Sequence, residues 1–129
     1  PKGYNIDAFY EGIYKYKNVI EHNKYNNNYS YNRTVYLMQT AKFYDNNFLL
    51  LKEDNSLTSP IGTVNFEIYS FVNEVKEHLL AEDENIQCVV SKIDDIHPRR
   101  VGLGEAQNPG LDDYADGVDT LQFLVELRN

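Results

Sequence analysis

The sequence has one cysteine, Cys88, so no disulfide can form within the chain. That fits a reducing compartment, and the cytoplasm is the expected location. Long apolar runs are missing too: none approaches the ~18 residues that mark a membrane-spanning helix. The opening residues are polar and broken by Pro1 and Gly3, so no secretory leader is expected in them. Basic side chains are few, 12 Lys and Arg against 20 Asp and Glu, for a formal charge of -8. Such a surface repels phosphate backbones and anionic lipid, which argues against nucleic acid and membranes as partners. No His-x-x-x-His or Cys-x-x-Cys spacing occurs, so no structural metal site is expected. A calcium loop counted from Asp112 would need an oxygen ligand at its third position and a glutamate at its twelfth; Tyr114 and Phe123 stand there. Gly102 and Gly104 lack the third glycine of a dinucleotide fingerprint and have no helix directly after them. No repeat or low-complexity linker divides the chain, so residues 1–129 are read as a single α/β unit.

What is present is globular in character. At 42% hydrophobic and 25% charged, the 129 residues lie outside the disordered range and suffice for a core. Tyrosine and asparagine crowd the first third, from Tyr4 to Tyr44, with Asn26, Asn27 and Asn28 in one block. Tyrosine carries a rigid apolar ring with one polar atom. The segment therefore reads either as local packing around turns or as a face that belongs against another domain or subunit.

Residues 6–20 are expected to form a helix, because Ile6, Phe9, Tyr10, Ile13, Tyr16, Val19 and Ile20 recur at steps of three and four. Asn5 or Asp7 can cap it. Residues 22–28 read as a loop, residues 31–39 as a short element leaning to helix, and Asp45 to Asn47 as a turn. The apolar run Phe48, Leu49, Leu50, Leu51 predicts a buried strand, and residues 61–68 a second. Ser70 is expected to cap a helix over 71–80 that buries Phe71, Val72, Val75, Leu79 and Leu80. A strand over 86–90 would follow, and strand–helix–strand in that order predicts a crossover in a parallel or mixed sheet with flanking helices. Residues 97–117, with four glycines and two prolines, read as a long loop. A closing helix over 120–127, capped by Asp119 with Gln122, is apolar nearly all round and is expected to be buried against more than one neighbour.

Among residues able to do chemistry, Cys88 falls inside the predicted strand 86–90, where a thiol is packed rather than presented. Glu74 and His78 are four apart and read as a surface pair. His97, Arg99 and Arg100 are the one cluster of basic donors, a candidate site for an anionic group such as a carboxylate or phosphate.

The stretch 101–124, Val-Gly-Leu-Gly-Glu-Ala-Gln-Asn-Pro-Gly-Leu-Asp-Asp-Tyr-Ala-Asp-Gly-Val-Asp-Thr-Leu-Gln-Phe-Leu, resembles the carboxy-terminal end of bacterial acyl-CoA reductases. These are relatives of the long-chain acyl reductase of bioluminescent bacteria, in the aldehyde dehydrogenase superfamily. The segments 28–32, 45–54 and 86–90 look like the same family, so the similarity extends over most of the chain. It implies the late part of an aldehyde dehydrogenase catalytic domain. The implied activity is reduction of an acyl-CoA or related acyl group to the aldehyde: a cysteine takes the acyl group as a thioester, then NADPH or NADH gives hydride.

The chain departs from that pattern where chemistry is concerned. In the family the catalytic cysteine and the glycine-rich cofactor half precede the region resembled here, so the nucleophile is not carried over to Cys88. The family's Glu-Ile-Phe-Gly-Pro-Val segment has only a loose counterpart at 56–61, with Ser56 in place of the glutamate. The 101–104 loop resembles the family's late Pro-Phe-Gly-Gly loop, which implies that Leu103 and Gly104 lie near a substrate channel in the whole protein. The resemblance thus implies a carboxy-terminal portion that is inactive and binds no cofactor as an isolated chain, with the upstream part of the same polypeptide as its partner and homo-oligomerisation left open. Two other readings stand beside it. One is a non-catalytic interaction module using the Tyr/Asn-rich segment; the other is a small independent enzyme built on His97 and nearby acids.

Overall fold

A computed structural model describes residues 1–108, 110, 114 and 119–127. The chain is a mixed α/β protein that divides into two compact units, Pro1–Ser70 and Phe71–Asn129. Among the described residues no helix is long and apolar enough to cross a membrane.

The first unit opens with helix α1, Ile6–Ile13, whose start is capped by Asn5: its Oδ1 accepts the Asp7 and Ala8 N–H groups at 2.9 and 3.4 Å. The expected helix over 6–20 does not run through. It tightens into a 3₁₀ helix at Tyr14–Glu21, where Tyr16 and Val19 are exposed and Ile20 packs against the core. Helix α2 spans Asn23–Met38, so the loop expected at 22–28 is corrected to helix. The reason lies in Tyr25, Tyr29, Asn32 and Tyr36, which recur at helical spacing and turn inward. Their polar tips meet backbone and side-chain groups of the strands and loops beneath. Tyr25 Oη donates to the Phe48 carbonyl at 2.8 Å, Tyr29 Oη to Asp45 Oδ1 at 2.6 Å, and Asn32 Nδ2 to the Ile61 carbonyl at 3.1 Å. Each buried polar atom is thereby satisfied while its ring or stem fills the core.

Strand β1, Phe43–Asp45, pairs antiparallel with β2, Leu50–Glu53, in the register Tyr44 to Leu51. The turn between them is the expected one: Asn47 has φ +72, and Asn46 Oδ1 accepts the Leu49 N–H at 2.8 Å. Strand β3, Thr63–Phe66, pairs parallel with β2, giving the order β1-β2-β3. No helix joins β2 to β3. The connecting segment 54–62 folds back as a loop, held by Asn65 Nδ2 donating to the Ser56 and Thr58 carbonyls at 3.0 and 3.1 Å. Tyr29, Tyr36 and Leu50 form the centre of the core, and Phe48 and Leu51 are buried as expected.

In the second unit, helix α3 spans Val72–Ala81; its cap is Phe71 and not the expected Ser70, with Glu74 reaching back to the Phe71 N–H at 3.3 Å. Strand β4, Val89–Val90, pairs parallel with β5, Arg100–Val101. Each parallel pairing closes inside its own unit, so the crossover expected over residues 61–90 is corrected. The ladder is two residues long on each strand, which leaves Cys88 outside it and exposed rather than packed. Helix α4 spans Thr120–Glu126, and Asp119 Oδ1 caps it by accepting the Leu121 and Gln122 N–H groups at 3.0 Å. Gln122 does not return the bond; its amide donates to Glu126 at 3.1 Å. The expected burial of both helices is corrected as well. No residue of α3 or α4 is buried, and Phe71, Val72, Leu80, Leu121, Phe123, Leu124, Val125 and Leu127 are exposed. Most of the calcium-like stretch 112–119 lies outside the described residues.

Candidate functional site

The three basic candidates are brought together in the second unit by the β4–β5 ladder and its connection. His97 is buried, with no exposed side-chain surface, and its Nε2 stands 3.1 Å from Asp83 Oδ1 without hydrogen-bond alignment. Its Nδ1 accepts the Arg99 N–H at 3.1 Å, so the proton of a neutral ring is assigned to Nε2, facing the carboxylate. Arg99 holds the other Asp83 oxygen at 3.1 Å and donates to the carbonyls of Asp83 and Ile86. Arg100 donates to the Ser91 carbonyl at 2.9 Å and lies 3.0 Å from the exposed Asp94 carboxylate. What these groups meet is protein carboxylate and backbone. Asp83, which the sequence does not single out, is the carboxylate that His97 and Arg99 share. Its separation from His97 and Arg99 has no periodicity that would reveal it.

Leu103 and Gly104 form the corner of a tight turn. The Glu105 N–H donates to the Gly102 carbonyl at 3.2 Å, and Gly104 has φ +85, the conformation such a corner reserves for glycine. Leu103 is exposed. The Gly102 N–H donates to Glu105 Oε2 at 2.7 Å. The backbone donor that would face a phosphate is therefore occupied by a carboxylate that would repel it, and this turn does not fit a dinucleotide. Among the described residues no group of three or more His, Cys, Asp and Glu side chains could hold a metal ion.

The first unit holds a denser polar network around Asp45. Tyr29 Oη donates to one carboxylate oxygen at 2.6 Å, together with the Asn47 N–H at 2.8 Å, and Arg33 Nε donates to the other at 2.6 Å. Burial pushes the Asp45 carboxyl up, but the bonds from Tyr29, Arg33 and the Asn47 N–H outweigh it and hold the group below the ordinary carboxyl range. Tyr29 is pushed up by burial and by its bond to Asp45, while Tyr10 is pushed up to about 12 by burial and the nearby Asp45 charge. Since the folded carboxyl titrates below its unfolded value, the network stabilises fully above that value and is lost as pH falls through the folded one. Unfolding midpoints in urea should accordingly decline below about pH 4, the unfolded carboxyl range. Asp45→Asn should flatten that decline, and an unchanged profile in the variant would contradict the assignment.

Two concavities lie in the first unit. An open cleft of about 460 Å³ is lined by Asp7, Tyr10, Glu11, Tyr14, Asp45 and Asn46. A more enclosed apolar groove of about 320 Å³ has Tyr4, Phe9, Tyr44, Leu51, Phe66 and Tyr69 among its walls. Sequence reasoning did not single out either set, because the residues come from segments that only the fold brings together. No protein-family model matches this chain, and neither a curated protein nor a solved structure matches it.

Proposed function

We propose that this chain is the carboxy-terminal part of an NAD(P)H-dependent reductase that converts an acyl-CoA, or a related acyl group, to the aldehyde through a cysteine thioester. The nucleophile and the cofactor half lie outside residues 1–129, and the fold would be the late part of an aldehyde dehydrogenase catalytic domain. The observation that carries this reading, beside the family-like stretch 101–124, is the exposure of apolar side chains on α3 and, above all, on α4. Leu121, Phe123, Leu124 and Val125 on this short helix, and Leu127 at its C-cap, are 52–73% exposed. Fully burying a side chain of this kind contributes about 1.5–3 kcal/mol. Exposed apolar area of this density marks surface meant to be covered. The interaction-module alternative draws on the exposed rings of Tyr14, Tyr16 and Tyr31. It expects an otherwise closed surface, which α3 and α4 do not offer.

The exposure of Cys88 removes burial as the reason to exclude it as nucleophile. What disfavours it is its setting. An acyl-accepting thiol needs a cation or a helix start to stabilise its thiolate, and the guanidinium of Arg99, on the neighbouring strand segment, is committed to Asp83 and Ile86. Incubating the chain with an acyl-CoA should leave its intact mass unchanged, while iodoacetamide should alkylate Cys88 under native conditions. A stable acyl adduct on Cys88 would sink the placement of the nucleophile elsewhere.

A further inference from the structure

We draw no further inference here: the strongest candidate, the apolar groove of the first unit walled by Tyr4, Phe9, Tyr44, Leu51, Phe66 and Tyr69, is an unpartnered apolar face, and nothing in the structure shows what covers it.

Discussion

Leu50→Ala is expected to cost about 3–5 kcal/mol, a large share of the stability of the first unit. Leu50 has 0% exposure and, among the described residues, is the large side chain most completely removed from solvent. It sits on β2, the middle strand of β1-β2-β3, and packs in one cluster with Tyr29 and Tyr36. Truncation removes transfer energy and leaves a cavity that two rings anchored by their hydroxyl groups cannot collapse to fill. A domain of this size has about 5–15 kcal/mol in total, so the loss is a large share. Urea unfolding followed by tyrosine fluorescence should show a midpoint lowered by a third or more. Leu50→Met keeps the volume and should cost less than about 1.5 kcal/mol. A change below about 1 kcal/mol for the alanine variant would mean that the core is centred elsewhere.

The second large effect is expected at Gly62. Its φ is +82, and a Cβ built there would lie 3.0 Å from both Cα and Cβ of Tyr29. Its carbonyl also accepts the Leu50 N–H at 2.9 Å, which starts the β2–β3 ladder. Alanine would therefore meet an unfavourable backbone conformation and a helix backbone that cannot step aside without disturbing Tyr29 and its bond to Asp45. Strain at such a position costs about 1–3 kcal/mol, and overpacking adds about 1–3 kcal/mol. Gly62→Ala should thus lose roughly 2–6 kcal/mol in the same urea titration. It should also accelerate hydrogen exchange at Leu50. A variant as stable as the parent would show that α2 does not lie against this loop.

These two positions also show where the sequence is readable. The run of residues 48–51 announces burial because consecutive apolar side chains need cover on both faces, but the strand is Leu50–Glu53, with Phe48 and Leu49 still in the connection before it; the Asn-rich turn follows from side-chain bonds to local backbone. Helix α2 was legible only from Tyr31 onward. Its first half carries the inward stripe on tyrosine and asparagine, residues that hydropathy treats as polar, so the helical period was hidden behind an apparent loop. Strand 86–90 failed for the opposite reason. An apolar run fixes a wish for burial, not a pairing partner, and only Val89 and Val90 find one in Arg100 and Val101. Cys88, just before them, stays outside the ladder. The basic cluster was visible as a composition, but its carboxylate, Asp83, was not, since ion pairs across loops leave no period in the chain. Helix α4 is legible from its Asp119 cap and α3 from its apolar spacing, although Phe71 and not Ser70 caps α3; the burial that their apolar residues predict is not met by the described residues.

We propose that the chemistry requires polypeptide outside residues 1–129. That claim is tested most directly by expressing the whole reading frame that encodes this chain and following NADPH or NADH oxidation with an acyl-CoA, beside Cys88→Ser in the same protein and residues 1–129 alone. The account predicts cofactor oxidation by the whole product, equal oxidation by the Cys88→Ser variant, and none by the isolated chain. Turnover by residues 1–129, loss of turnover on replacing Cys88, or a whole product that does not turn over acyl-CoA would contradict it.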